Sequence, residues 1–172
     1  MPTECNAEHF EFGFVKGRAV EAAFDAGLVS SDAGALLLGA TDRAIDLVDR
    51  FAACFCDRRR QHLIEHAVAT LVGQRVFAIA LGYEDLNDHD ELRHDPIMAV
   101  LAGKLEARRG DCAPVAGKST LNRLELSRAA PTRYHKIACD EAAIEALPVQ
   151  LFLEAHARPP KQIILDLDAT DD

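Results

Sequence analysis

Phe10, Phe12 and Phe14 alternate with polar or small residues, and this period of two predicts a strand with the three rings on one face. Lys16-Gly17 reads as a turn, and Val20, Ala22 and Phe24 alternate after it, so the chain should open with a short β-hairpin. The period then changes. Ser30-Ser31-Asp32 offers helix N-caps before Ala35-Leu36-Leu37-Leu38, and Leu37, Ala40, Ala44, Leu47, Val48 and Phe51 fall on one face of a 3.6-residue repeat. From His62 to Leu81 the set Ile64, Val68, Leu71, Val72, Val76 and Ile79 does the same, with Gly82 as the residue that ends the helix. Asp95-Pro96 predicts another helix start, with Pro at the first helical position. Gly110, Pro114 and Gly117 mark residues 103–118 as a loop. A short helix is expected over residues 119–127, and a longer one over 140–157, interrupted or restarted at Pro148.

The end of the chain has another character. Arg158-Pro159-Pro160 reads as a hinge, and the run Lys161-Gln162-Ile163-Ile164-Leu165-Asp166-Leu167-Asp168 has the apolar, β-branched pattern of a buried strand. The backbone of such a strand needs partners on its flanks. The sequence stops four residues later, so Pro159 is expected to open a second domain of which only the start is present.

Composition narrows the class. With 49% hydrophobic residues, the 172-residue chain can bury a core and is not wholly disordered. No apolar run approaches the roughly 18 residues a membrane span needs, and Met1-Pro2-Thr3-Glu4-Cys5 has no signal-peptide pattern. Five scattered cysteines argue for a reduced, cytoplasmic protein rather than a disulfide scaffold. The net charge of −9 disfavours nucleic acid as an average, but the charge is segregated. Residues 117–136 carry Lys118, Arg123, Arg128, Arg133 and Lys136 against Glu125 alone. Residues 84–95 carry Glu84, Asp85, Asp88, Asp90, Glu91 and Asp95 against Arg93.

Several groupings could carry chemistry. On a strand, Asp166 and Asp168 share a face, roughly 6–7 Å apart. Among apolar neighbours such a pair calls for a divalent cation, because an unpaired buried carboxylate is costly. The plain alternative is a polar turn after a strand. His62-Leu63-Ile64-Glu65-His66 matches H-x-x-E-H, whose two imidazoles one helical turn apart suit zinc, although no third ligand stands out and a solvated helix face is the commoner meaning. Gly117-Lys118-Ser119-Thr120 imitates the end of a phosphate-binding loop, but Cys112 stands where the first Gly is required. Asp85, Asp88, His89, Asp90, His94 and Asp95 form an acidic turn whose loose spacing does not define a metal site, and Cys54-Phe55-Cys56 has no second cysteine pair. Lys118, Thr120, Asn122, Arg123 and Arg128 are residue types that contact phosphates or base edges, set against the reading of a solvated helix with a basic rim.

Taken together, Ser30-Ser31-Asp32-Ala33-Gly34-Ala35-Leu36-Leu37-Leu38, Gln74-Arg75-Val76, the block from Ala80 through Gly82-Tyr83-Glu84-Asp85-Leu86-Asn87-Asp88-His89-Asp90, and Leu92-Arg93-His94-Asp95-Pro96 resemble the N-terminal part of bacterial insertion-sequence DDE transposases of the 1380 group. Ser119-Thr120-Leu121-Asn122-Arg123-Leu124-Glu125 is similar to the next block of that family, and Ile164-Leu165-Asp166-Leu167-Asp168-Ala169-Thr170-Asp171 to the strand bearing its first catalytic aspartate. The resemblance implies a mainly α N-terminal region with a short β-hairpin over residues 1–158, followed over 159–172 by the first strand of a truncated α/β RNase H-like catalytic domain. It implies three acids that hold two Mg²⁺ (or Mn²⁺) ions for attack on DNA phosphodiesters, with Asp168 the first choice and Asp166 the second for both the catalytic and the metal-binding role. It implies the terminal inverted repeats of its own element as DNA partner, a homo-oligomer, and no membrane. A chain holding only one of the three acids is expected to be an N-terminal fragment, inactive alone and binding no metal. Two other readings stand beside it: a non-enzymatic helical module for dimerisation or regulation, and a zinc hydrolase using His62, Glu65 and His66.

Overall fold

The computed structural model describes residues 9–23 and 30–164. Strands β1 (His9–Val15) and β2 (Arg18–Ala23) pair antiparallel around Lys16-Gly17, both with positive φ, the two-residue turn that matches strand twist. The single alternating face expected for Phe10, Phe12 and Phe14 does not form. A bulge interrupts the register between Glu11 and Phe14, where Gly13 takes φ +86°. The extra residue switches the faces, so Phe12 and Val15 are half-buried while Phe14 is 75% exposed.

A 3-10 turn over Ala33–Ala35 leads into α1 (Leu36–Ile45), and Asp46 at φ 57° breaks the chain before α2 (Leu47–Ala52). The buried positions of α1 are Leu36 and Gly39, while Leu37 is 65% exposed. The expected face was therefore about one residue out of phase. Three consecutive leucines fit several phases, and close approach decides among them: a Cβ on Gly39 would lie 2.9 Å from Leu101 Cδ2. Ser30 and Asp32 do not cap the helix by side chain. Ser30 Oγ donates to Asp95 at 3.1 Å, and Asp32 accepts the Tyr83 hydroxyl at 2.9 Å.

The central helix is α3 (Val68–Ala80), which contacts α2, α5 (Pro96–Leu101) and α6 (Lys118–Glu125). Leu71, Val72, Phe77 and Ala78 of α3 make the middle of the core with Val48, Leu92, Met98, Val115, Leu121, Leu124 and Ile137. Helix α3 ends as expected: Gly82 N–H donates to Ile79 O and Tyr83 N–H to Ala78 O, the paired bonds of a Schellman close. Its start differs. His62 lies in a 3-10 turn (Gln61–Leu63), Ile64 and Ala67 are extended, and the helix begins only at Val68. The short helix α4 (His89–Leu92) precedes α5, whose Asp95 cap accepts Ile97 N–H at 2.7 Å, with Pro96 at the first position as expected.

Strands β3 (Phe55–Asp57) and β4 (Ile137–Cys139) pair antiparallel, and α7 (Glu141–Glu154) follows a cap in which Asp140 accepts Ala143 N–H. Helix α7 runs through Pro148 without the expected interruption. Buried Leu147 and a bidentate Arg50–Glu154 bridge (2.7 and 2.9 Å) anchor it on both sides of the ring. Residues 161–164, expected to begin a buried strand, form no strand, and Ile163 and Ile164 are 58% and 82% exposed. The remainder of that segment, with Asp166 and Asp168, lies outside the described residues. Among the described residues no helix is long and apolar enough to cross a membrane.

Candidate nucleic-acid interface

The β3–β4 pair joins two basic segments that are far apart in sequence. The ladder ends with Asp57 opposite Ile137, and Arg58 N–H then donates to Lys136 O at 2.9 Å. The Arg58-Arg59-Arg60 run is thereby set beside the residues that follow α6. Cys139 N–H also donates to Arg128 O at 3.2 Å, which ties the end of α6 to β4. The result is a cleft of about 460 Å³ whose lining includes Arg59, Arg60, Arg123, Arg133 and Lys136 and, among the described residues, no acidic one.

Helix α6 explains how Arg123 arrives there. Leu121 and Leu124 are buried and fix its inner face. Thr120 and Arg123, three apart, share the flank toward the cleft. Lys118, Asn122 and Glu125 share the other flank, where Lys118 Nζ reaches Asn87 Oδ1 at 3.0 Å and Asp90 Oδ2 at 3.4 Å, and Glu125 pairs with Arg75. The five residues expected as one DNA-contact set are therefore divided. Thr120 and Arg123 line the cleft. Lys118 is engaged with the acidic turn, while Asn122 and Arg128 are exposed outside the lining.

Within the cleft the cations differ. Arg59 is fixed: Nε and Nη2 donate to Asp57 at 2.9 and 2.7 Å, and Nη2 also reaches His66 O at 2.9 Å. Burial pushes the Asp57 carboxyl up, and the Arg59 hydrogen bonds outweigh that and hold it below its ordinary value. Arg60, Arg123, Arg133 and Lys136 make no ion pair with a described residue. Residues 131–136 form a tight loop in which Thr132 N–H donates to His135 O at 2.7 Å, and Thr132 Oγ1 accepts Tyr134 N–H and His135 N–H at 3.3 and 3.0 Å. Of this site, Arg59, Arg60 and Tyr134 were missed in the sequence reading. The run of three arginines was the available sign.

The other candidate groupings serve the fold. His62, Glu65 and His66 do not share a helix face, because that segment is not helical. Lys104 Nζ instead donates to Glu65 O (2.6 Å), Glu65 Oε1 (2.7 Å) and His66 Nδ1 (3.1 Å), and Arg108 N–H donates to Glu65 Oε1 at 2.6 Å. Burial, with Lys104 beside it, drives the His66 imidazole down to about 4. In the acidic turn, Asp85 accepts Asn87 N–H and Asp90 accepts Lys118 N–H, and those bonds lower both carboxyls. His89 is fully buried.

A metal fits none of this. Among the described residues no group of three or more His, Cys, Asp or Glu could hold one, and the carboxylates of Asp57, Glu65, Asp85, Asp90 and Asp95 all face donors already.

A family model described as "Transposase DDE domain group 1" matches residues 12–172. No curated protein and no solved structure matches the chain.

Proposed function

The chain belongs to the transposase DDE domain group 1 family, and from that premise we propose that its helical region grips the DNA of its own element's ends through the basic cleft. The observation that carries this reading is a concave surface with five cationic side chains and, among the described residues, no acid, on a chain whose net charge is −9. An acidic protein repels DNA on average, so its phosphate contacts must be concentrated where positive charge is gathered. Arg123 comes from α6 and Lys136 from the segment before β4, and Arg60 and Arg133 extend the same field. Arg59, held by Asp57, positions the wall more than it attracts phosphate. Lys118, Asn122 and Arg128 flank the path rather than form it.

We assign Asp168, with Asp166 as second choice, to the catalytic acid set, and residue 159 to the start of an RNase H-like domain of the 1380-group type. The alternation of residues 163–168 and a family match reaching residue 172 support this. The divalent ion (Mg²⁺ or Mn²⁺) that DDE transposases use supplies activation of water or a 3′-hydroxyl against a phosphodiester. The residues of the described region contribute binding and orientation of DNA, and assembly into a homo-oligomer follows from the need to hold two element ends.

Titration of a fluorescent terminal-repeat duplex at several salt concentrations tests the cleft. Affinity falls steeply with salt, and Arg123→Ala or Lys136→Ala each reduces the log–log slope by about 0.9. Unchanged slopes in both variants would remove the assignment.

A further inference from the structure

Tyr134 is 78% exposed on the rim of the cleft, and the fold does not account for it. Its ring contributes little to the core, and no hydrogen bond holds its hydroxyl to a described residue. Yet the backbone beneath it is fixed by the three hydrogen bonds centred on Thr132. The Arg133 guanidinium stands 5.9 Å from the ring centroid, a cation–π distance that leaves the remainder of the ring open.

An exposed ring beside unpaired cations is the combination that holds unpaired nucleotides: the ring stacks on the base and the cations take the phosphates. A fully paired duplex hides its base faces in its own stack, so a ring of this kind gains nothing from it. The volume also matters. About 460 Å³ is in the range of small-ligand sites, roughly 300–1,000 Å³. It has room to enclose a single nucleotide, whereas a double helix can only lay its phosphates across the rim. Resting on the DNA-binding reading above, we propose that the cleft takes one unpaired nucleotide of a DNA end, its base on Tyr134 and its phosphate on Arg123 and Lys136.

The chain supplies its own reporter. It has two tyrosines and no tryptophan, and Tyr83 is half-buried with its hydroxyl on Asp32. Tyrosine emission comes from these two rings, and the part lost in Tyr134→Phe belongs to Tyr134. The 172-residue chain is titrated with a blunt duplex, with the same duplex carrying a short single-stranded end, and with a mononucleotide. The single-stranded end should bind more tightly than the blunt duplex and quench the emission. Tyr134→Ala should lower its affinity roughly 5- to 150-fold, toward that of the blunt duplex, while Tyr134→Phe retains it. Equal affinity for the two DNAs, a difference that survives Tyr134→Ala, or a mononucleotide that binds as tightly as the single-stranded end overturns the proposal. Arg123→Ala keeps the two readings apart. Weaker binding of both DNAs upholds the cleft as a DNA site whatever Tyr134 does, and no binding of either DNA at low salt overturns both.

Discussion

Gln74 and His89 are both fully buried and meet side chain to side chain, Nε2 3.0 Å from Nδ1. The Gln74 amide also donates to Ala116 O at 2.6 Å and accepts Ala116 N–H at 2.8 Å. One glutamine thus fastens α3, α4 and the loop before α6 at a single point. Since Nδ1 accepts, the His89 proton is on Nε2, which has no partner among the described residues. Gln74→Leu keeps the volume but strips Ala116 of both backbone partners. Each buried group left bare costs about 1–3 kcal/mol, so the melting temperature should fall by roughly 4–20 °C. A melting curve by circular dichroism checks this, and a shift under a degree would show that the pair is not structural.

Acid should weaken the fold before its carboxylates titrate. His66 lies at about 4 in the folded chain, against roughly 6.5 unfolded, and burial lowers His89 as well. A depressed imidazole binds its proton only after unfolding. Its neutral state costs nothing above pH 6.5, and stability is lost as pH falls from there toward the folded value. His66 alone should cost on the order of 2 kcal/mol at pH 5. Asp57, Glu65, Asp85 and Asp90 are lowered, so their contribution is lost only at still lower pH. Urea midpoints at pH 7.5 and 5 measure the histidine part, and His66→Gln should flatten it.

The two flanks of α6 should separate in function. Arg123→Ala removes a cleft cation, whereas Lys118→Ala removes an exposed partner of Asp90 and Asn87 on the opposite side. DNA affinity should drop several-fold at low salt in the first variant and stay within about twofold in the second, with stability altered by less than about 1 kcal/mol in either. Equal losses in filter binding would mean that DNA crosses both flanks.

Asp95 joins two ends of the fold, capping α5 through Ile97 N–H and receiving Ser30 Oγ. Asp95→Ala should cost roughly 1–2 kcal/mol, and Asp95→Asn, which still accepts, should cost less. Chemical unfolding of both variants ranks them.

For the two aspartates proposed as catalytic acids the contrast lies between neighbours. In a transposase that carries the complete acid set, Asp168→Asn should reduce element excision to background, and Asp166→Asn should leave part of it. The reverse order would exchange the two assignments.

What could be read without coordinates was local. The Lys16-Gly17 turn, the Gly82 stop, the Asp95-Pro96 start and the short helix after Gly117 each depend on contacts within a few residues. The misreadings share one cause. Whether Leu36 or Leu37 faces inward depends on Leu101, and how far α7 runs past Pro148 depends on a bridge from Arg50 to Glu154. Residues 62–67 have a helical spacing, but Lys104 and Arg108 bind Glu65 and the stretch runs from a 3-10 turn into non-helical chain. The acidic stretch from Glu84 to Asp95 was legible as a capped, charged turn that organises the fold, and Asp85, His89, Asp90 and Asp95 are spent on caps and on the Gln74 junction.

The residue order alone determined several helix ends, that the region is mainly helical, and which family it resembles, because caps, turns and short sequence blocks are short-range facts. Tertiary structure alone decided that Arg59 and Arg60 line one cleft with Arg123, Arg133 and Lys136 while Lys118 is engaged by Asp90. Pairing Phe55 with Cys139 brings together segments some eighty residues apart, and that pairing is set by what the whole core excludes from water.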